Sequence, residues 1–166
     1  AIEAKTKELA ERISRDYKGK DLLVVGVLKG SVIFASELIK NITIPCEIDF
    51  MAVSSYGSSS ETTGVVRILK DLDSEISRKH ILIVEDIVDS GVTLSYLLNY
   101  LKTRNASSVE IASLLTKPSR RKVDIDCKYV GFETPDEFLV GYGLDYAEKY
   151  RNLPFIGILK REVYEK

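Results

Sequence analysis

The sequence has little from which to build a cross-linked, metal-stabilised or membrane-spanning fold. Of its 166 residues none is tryptophan, two are cysteine and one is histidine. Cys46 and Cys127 lie far apart and no C-x-x-C pattern occurs, which favours reduced thiols over a disulfide framework or a cysteine metal site. No apolar run approaches the ~18 residues of a membrane helix. No signal-peptide pattern is present either, so we expect an intracellular, cytoplasmic protein.

The charge balance offers no general attraction to an anionic partner. Lysine and arginine number 24 against 25 aspartate and glutamate, for a net charge of -1. Any surface of the protein that binds nucleic acid or a membrane would therefore have to be a local basic patch. The short basic run at residues 120–122 favours a solvated loop over such a patch. The length suits one domain and no linker divides the chain, so we predict a single domain over residues 1–166.

Hydrophobic patterning predicts an α/β fold with a mostly parallel sheet flanked by helices. Apolar residues at helical spacing predict a helix from Ile2 to Tyr17, another capped by Ser31, and a third that carries Leu94 to Leu101. Strands alternate with these helices, as in parallel sheets. Residues 128–166 are strand-rich and predict a small hood subdomain. Predicted strands cover residues 22–27, 47–54, 65–69, 81–84, 109–115, 129–132, 138–142 and 155–159.

One ten-residue segment carries most of the chemical information. Residues 84–93 read Val-Glu-Asp-Ile-Val-Asp-Ser-Gly-Val-Thr, after a strand predicted to end at Val84. Residues 89–93 offer backbone amides, hydroxyls and a glycine beside a helix N-terminus, which is typical of a phosphate cradle. Glu85 and Asp86 would repel a bare phosphate, so the ligand should also carry hydroxyl groups or Mg²⁺. Simple helix capping is the alternative, but it leaves the two acids unexplained.

This segment resembles the phosphoribosyl-pyrophosphate signature of the type I phosphoribosyltransferases. Residues 28–31 resemble the pyrophosphate loop of that family, residues 55–57 the start of its mobile lid, and residues 113–117 its base-reading strand end. Residues 138–146, with Arg151, resemble the purine-binding hood of the hypoxanthine-guanine phosphoribosyltransferases. The resemblance covers the chain from about Asp21 onward. Family members usually carry a further segment before the first helix.

The resemblance implies purine salvage: Mg²⁺-dependent transfer of 5-phosphoribosyl from phosphoribosyl pyrophosphate to hypoxanthine or guanine. The products would be IMP or GMP and pyrophosphate. Asp89 would be the general base and acid near N7 of the purine, a role worth roughly 10²–10⁴ in rate. A cis peptide between Leu28 and Lys29 is also implied. The remaining roles would be phosphoribosyl binding by Glu85, Asp86, Asp89, Ser90, Gly91, Val92 and Thr93; pyrophosphate binding by Lys29, Gly30 and Arg151; purine binding by Lys117, Phe138, Leu139 and Asp145; a lid with Ser55 and Tyr56; and Mg²⁺ binding by Glu85, Asp86 and Asp145.

Other functions share parts of this pattern. Adenine and orotate transferases carry the signature but lack the hood pattern with Lys117. Some proteins of this fold are nucleic-acid-binding regulators that sense the same ligand, and such a regulator needs a concentrated basic face. The net charge of -1 counts against it. We expect a homodimer or homotetramer, and the sequence leaves open that choice and the preference among hypoxanthine, guanine and xanthine.

Residues 54–64 predict a mobile lid. They contain five Ser, two Thr and two Gly, so little apolar burial opposes disorder. Closure would exclude water from a reactive, oxocarbenium-like sugar. Tyr56→Ala should therefore leave the fold intact, lower kcat and raise futile hydrolysis of the donor. Steady-state turnover and pyrophosphate release without base test this, and normal turnover without wasted donor would contradict it.

Overall fold

The computed structural model of the chain describes residues 1–55, 66–73 and 75–164. No helix within these ranges is long and apolar enough to cross a membrane. The described elements are, in chain order, α1 (Ile2–Asp16), β1 (Leu22–Leu28), α2 (Val32–Asn41), β2 (Glu47–Ser55), β3 (Val66–Lys70), β4 (His80–Val88), α3 (Val92–Lys102), β5 (Ser108–Thr116), a 3₁₀ turn (Pro118–Arg120), β6 (Tyr129–Glu133), β7 (Leu139–Val140), β8 (Gly157–Ile158) and α4 (Arg161–Tyr164).

The main sheet places its described strands in the order β3-β2-β1-β4-β5-β6. Neighbouring strands are parallel except β3, which runs antiparallel to β2. From β1 the chain passes through α2 to β2, and from β4 it passes through α3 to β5 on the other side. This reversal between two adjacent strands is the switch point where parallel α/β sheets bind ligands. The predicted fold class is confirmed.

Helices cover both faces of this sheet, which explains why its central strands are continuous apolar runs. On one face, Ile13 of α1 and Phe34 of α2 share a buried cluster with Val24 of β1. On the other face, Leu97 of α3 shares a second cluster with Val25. Successive residues of β1 thus enter different cores. This burial fixes the strand register, and with it the loops at the strand ends.

One strand boundary beside the switch point differs from the prediction. β4 does not end at Val84 but continues through Glu85 and Asp86. Its pairing with β5 persists as far as Val88 beside Thr116. The acids therefore sit on a hydrogen-bonded strand, which holds them more rigidly than a loop would. The apolar run could not show this, because ladder hydrogen bonds do not depend on side-chain polarity.

The hood contains less strand than the sequence pattern predicts. β7 covers two of the predicted residues 138–142, and β8 covers two of 155–159. Positive φ angles at Gly141, Tyr142 and Gly143 turn the chain directly after β7. A tyrosine rarely adopts this conformation, so the turn was not predictable from residue type.

Ser31 occupies the N-cap position of α2, but its hydroxyl makes no capping hydrogen bond. Backbone bonds close the first turn instead: the Val32 N–H donates to the Lys29 carbonyl, and the Ala35 N–H to that of Ser31. The prediction of a side-chain cap is therefore wrong. Among the residues described, the buried Ser31 Oγ finds no hydrogen-bond partner.

Gly143 marks the point where the hood touches the loop after β1. Its φ is +100°, and a Cβ there would overlap the Gly30 carbonyl oxygen. Gly143→Ala should therefore lower the free energy of unfolding by roughly 2–3 kcal/mol. Gly19→Ala is the matched control, because Gly19 has φ +78° and nothing within 4 Å of a Cβ. Gly19→Ala should lower the free energy of unfolding by only about 1 kcal/mol. Urea unfolding measures both variants, and equal losses of stability would contradict the close approach of Gly143 to the Gly30 carbonyl.

Candidate active site

Two cavities meet at the carboxyl ends of β1 and β4. The first, of about 320 Å³, is lined by the loop after β1, the end of β4, the start of α3 and Arg151. The second, of about 540 Å³, is lined by Lys117 and Phe138 among others. Ile87 and Asp89 line both cavities. Asp89 therefore lies where a ligand in one cavity would meet a ligand in the other.

The loop between β4 and α3 has the geometry of an anion site. Gly91, at φ +86°, is the N-cap residue of α3, and a Cβ there would lie 3.0 Å from both the Val123 carbonyl and the Ile125 side chain. Behind the loop, the Ser90 carbonyl accepts hydrogen bonds from the Lys122 and Val123 amides at 2.8 and 3.1 Å. These contacts hold the N-terminus of α3, with its amides and partial positive charge, at the first cavity.

The predicted phosphate-binding residues lie in this loop as expected. Ser90, Gly91 and Thr93 line the first cavity. Val92 begins α3, and its N–H donates to Ser90 Oγ at 3.4 Å. Three of the four residues of this loop that were predicted to bind phosphate thus line one cleft.

Glu85 and Asp86 lie side by side in the wall of the first cavity. Burial raises the pKa of Glu85 well above its usual range, and the charge of Asp86 adds to the effect. Burial also raises the pKa of Asp86, although the Ile87 N–H donates to its Oδ1 at 2.7 Å. A Cβ on Gly30 would overlap the Asp86 carboxylate. The cavity thus holds two carboxyl groups whose ionisation a bound cation would favour.

Arg151 brings positive charge to the first cavity from the hood. Its Nη1 donates to the Gly143 carbonyl at 2.7 Å. Its Nη2 lies 3.6 Å from Asp145 Oδ1, so Asp145 is adjacent to the guanidinium. The carbonyl and the carboxylate together hold the arginine at the cleft.

Lys29 brings a second positive charge, from the loop after β1. The Leu28–Lys29 peptide is cis, as the resemblance implied. The Lys29 Nζ atom lies 3.3 Å from Glu148 Oε2, and the same carboxylate oxygen lies 3.4 Å from Arg151 Nη2. Sequence reasoning missed Glu148, because an acid in a hood turn matches no pattern and its contact with Lys29 spans 119 positions.

Lys117 lines the second cavity with a largely buried side chain, only 9% exposed. Its Nζ donates to the Glu137 carbonyl at 2.7 Å, and its N–H donates to the Val88 carbonyl at 2.9 Å. A lysine after a strand is commonly solvated, but this one is held at the cleft by the end of β4 and by the loop that carries Glu137. It presents an ammonium donor to any ligand there.

Phe138 presents an aromatic wall in the same cavity. Tyr146 packs edge-on against its ring at 5.7 Å between centroids, and Tyr164 of α4 packs at 4.9 Å with a 32° tilt. Leu139 follows on β7 and lines the cavity beside it. Sequence reasoning assigned Phe138 and Leu139 but missed Tyr164.

Asp89 is held in an ion pair that the sequence did not predict. Arg120 Nε lies 3.3 Å from Asp89 Oδ1, and Arg120 Nη1 lies 3.4 Å from Asp136 Oδ1. Arg120 also lines the second cavity. Arg120 is exposed, as a residue of a solvated loop would be, but its side chain also bridges the signature loop and the hood.

The predicted metal-binding residues occupy two places in the site. Glu85 and Asp86 are adjacent on β4, whereas Asp145 lies in the hood beside Arg151. The part of the chain that the structure describes contains no group of three or more acidic, histidine or cysteine side chains placed to hold a metal. Mg²⁺ commonly takes one or two carboxylates and completes its shell with phosphate and water. The half-buried pair of Glu85 and Asp86 fits that mode of binding.

The predicted lid begins where β2 ends. Ser55 is the last residue of β2 and pairs with Val66 of β3. Tyr56 and residues 57–64 lie outside the described residues, so the lid stays a prediction.

Comparison with known proteins defines the class of this site. The family model for the phosphoribosyl transferase domain matches residues 1–147. The chain therefore belongs to the phosphoribosyl transferase family, and the resemblance seen in its signature is confirmed.

Relatives within this family narrow the class further. The chain is 54% identical over 164 residues to the hypoxanthine-guanine phosphoribosyltransferase of Bacillus subtilis (strain 168), covering 99% of this chain and 91% of the relative. It is 56% identical over 158 residues to that of Staphylococcus aureus (strain Mu50 / ATCC 700699), covering 95% and 88%. A crystal structure of a Staphylococcus aureus hypoxanthine phosphoribosyltransferase superposes with a TM-score of 0.97 at 55% identity, covering 99% and 90%. The chain is thus an enzyme of the purine phosphoribosyltransferase class.

The carboxylate pair leads to a prediction about stability and pH. A carboxyl group whose folded pKa is raised binds protons more tightly in the folded state, so its contribution to stability falls as pH rises above the usual range, near 4. Asp86→Asn removes this cost. Without bound ligand, the Asp86→Asn variant should have a free energy of unfolding higher by on the order of 1 kcal/mol at neutral pH. This gain should shrink towards pH 4.

Asp49→Asn is the control of opposite sign. Burial opposes ionisation of Asp49, but N–H donors of Asp73 and Phe50, together with Lys70, lower its pKa overall. This substitution should therefore destabilise the protein at neutral pH. Thermal unfolding from pH 4 to 8 measures both variants. A loss of stability in Asp86→Asn at neutral pH would contradict the raised pKa.

Proposed function

We propose that this enzyme transfers 5-phosphoribosyl from phosphoribosyl pyrophosphate to hypoxanthine or guanine, giving IMP or GMP and pyrophosphate, with Mg²⁺ as cofactor. One observation carries the proposal: Asp89 lies at the junction of a cavity suited to a phosphorylated sugar and a cavity suited to a flat base. The names of the relatives support the same substrates. The regulator alternative gains no support from them.

The donor occupies the first cavity in this proposal. Its 5′-phosphate binds at residues 89–93, where Ser90, Gly91, Val92 and Thr93 supply amides and hydroxyl groups. Its ribose hydroxyls donate to the Glu85 and Asp86 carboxylates. Its pyrophosphate binds the Lys29 ammonium, the Gly30 backbone and the Arg151 guanidinium. An arginine fork suits such oxygens well.

The base occupies the second cavity. Phe138 stacks on the purine, Leu139 contacts it through backbone groups, and Lys117 donates to the O6 atom. As the bond from C1′ to pyrophosphate breaks, the bond from C1′ to N9 of the base forms. The N7 proton passes to the Asp89 carboxylate, and the pyrophosphate leaves with the bonding electron pair. Asp89 is placed for this step because it faces both cavities.

Glu85, Asp86 and Asp145 would hold Mg²⁺ together with oxygens of the donor. The ion would supply neutralisation of the charge that develops on the leaving pyrophosphate. Arg151 lies beside Asp145 and would contribute to the same neutralisation.

The wider organisation of the protein stays a set of predictions. We propose one domain over residues 1–166, with residues 128–166 as hood and residues 54–64, including Ser55 and Tyr56, as lid. We also propose a homodimer or homotetramer in the cytoplasm. Sedimentation analysis distinguishes the two oligomers.

Base discrimination tests the proposed function. Lys117 donates a hydrogen bond, so it suits a carbonyl at position 6 and opposes the amine of adenine. Sites of this kind reject the wrong partner by roughly 10⁴–10⁵ in the best cases. Spectrophotometric assay of each purine with phosphoribosyl pyrophosphate and Mg²⁺ should therefore show transfer to hypoxanthine or guanine and almost none to adenine.

Substitution of Lys117 tests whether this residue determines the preference for a 6-oxopurine over adenine. Lys117→Gln, whose amide can both donate and accept, should lower kcat/KM for hypoxanthine and narrow the preference over adenine, while the KM of the donor stays unchanged. Arg104→Gln, which breaks an ion pair with Asp71 away from both cavities, is the control. Comparable turnover of adenine and hypoxanthine by the unmodified enzyme would refute the assignment.

A further inference from the structure

Glu148 contacts both cations that the proposed function assigns to pyrophosphate. Its Oε2 lies 3.3 Å from Lys29 Nζ and 3.4 Å from both Nε and Nη2 of Arg151. We propose that Glu148 is a positioning residue that holds these cations together in the free enzyme and competes with pyrophosphate for them. This inference rests on the proposed function, because it takes Lys29 and Arg151 as the pyrophosphate subsite.

One carboxylate oxygen makes all of these contacts, across two separate loops. Lys29 belongs to the loop after β1, and Arg151 belongs to the hood. The Lys29 and Glu148 side chains are 67% and 63% exposed, so burial does not drive their contact. Lys29 and Arg151 would repel each other without an anion between them. The carboxylate therefore occupies a position where a phosphate oxygen would be equally favoured.

The backbone of the hood turn presents Glu148 for this contact. Ala147 and Glu148 have φ angles of 52° and 66°, which non-glycine residues rarely adopt and which cost free energy. The Glu148 N–H donates to Asp145 Oδ2 at 2.9 Å. Reciprocal backbone bonds of 3.0 Å between Tyr146 and Lys149 close the turn. The glutamate thus sits on a hydrogen-bonded support.

Charge in the cluster supports the ionised form of this glutamate. Hydrogen bonds from Lys29, and then from Arg151, lower the pKa of Glu148 below its usual range. A single exposed carboxylate binds a cation weakly, whereas pyrophosphate offers several charged oxygens to both cations at once. The ligand therefore displaces Glu148, but its affinity is reduced by the competition. The same competition favours release of pyrophosphate after transfer.

Binding of pyrophosphate to Glu148→Gln tests the inference without requiring turnover. Calorimetric titration with pyrophosphate in the presence of Mg²⁺ should show a Kd about three- to tenfold lower than that of the unmodified enzyme. Glu148→Asp, which keeps the charge on a shorter side chain, should restore part of the difference. The KM of phosphoribosyl pyrophosphate should fall in parallel without a rise in kcat.

Glu47→Gln controls for the change in net charge, because Glu47 pairs with Lys79 at 2.8 Å in a different part of the structure. It should leave the Kd of pyrophosphate unchanged. A purely structural role for Glu148 predicts weaker binding in Glu148→Gln, since the cations would lose their alignment. Equal or weaker binding in that variant overturns the inference.

Failure of the proposed function gives a different result. If the unmodified enzyme binds no pyrophosphate at millimolar concentration, the pyrophosphate subsite and the inference both fail. If pyrophosphate binds and Glu148→Gln binds it more tightly, but no purine accepts phosphoribosyl, the inference stands and the proposed reaction fails.

Discussion

Parallel pairing of β1 with β4 is the constraint on which the rest of the site depends. The two strands are in register from Leu22 beside His80 to Gly26 beside Val84, and their side chains enter two separate cores. Their ends therefore emerge together at one edge of the sheet. The loop with Gly30 then lies against the Asp86 carboxylate, and the hood reaches the same loop through Gly143. A Cβ at either glycine would overlap its neighbour, so the absence of a side chain at Gly30 and Gly143 allows these three distant segments to meet.

Several charged groups at this junction are paired within the protein. Asp89 faces Arg120, and Lys117 donates to a backbone carbonyl. Lys29 and Arg151 share Glu148. Among the described residues of this junction, Glu85 and Asp86 differ, because burial raises both pKa values and disfavours their charged forms. The exposed ion pairs of Asp89, Lys29 and Arg151 contribute little to stability. Their effect is to keep these side chains oriented, at modest cost, until a ligand replaces the partner within the protein.

The sequence predicted the architecture where burial controls it. Apolar runs located the central strands, and the spacing of Leu94, Leu97 and Leu101 located α3, because these positions pack into the core. The signature and hood motifs placed Asp89 and Lys117 at one cleft, as the cavities show. Prediction failed where backbone bonding decides the outcome.

Two kinds of feature were beyond the reach of local patterns. The end of β4 runs through two acids because its ladder with β5 continues, and β7 stops at a turn in which Tyr142 as well as two glycines has a positive φ. The partnerships of Arg120 and Glu148 join positions 31 and 119 residues apart. Such contacts depend on the tertiary fold, so no spacing of residue types along the chain encodes them.

In the proposed function, the hood turn would link the two halves of the reaction. Tyr146 supports the aromatic wall at Phe138, and two residues later the same turn carries Glu148, which contacts Arg151. If the proposed sites are correct, a purine that shifts Phe138 would act on the segment that holds Lys29 and Arg151, and pyrophosphate would act on the wall of the second cavity. Linkage of this kind is reciprocal. The affinity of each ligand would then depend on the presence of the other, and a short stretch of chain would couple two sites without direct contact between their ligands.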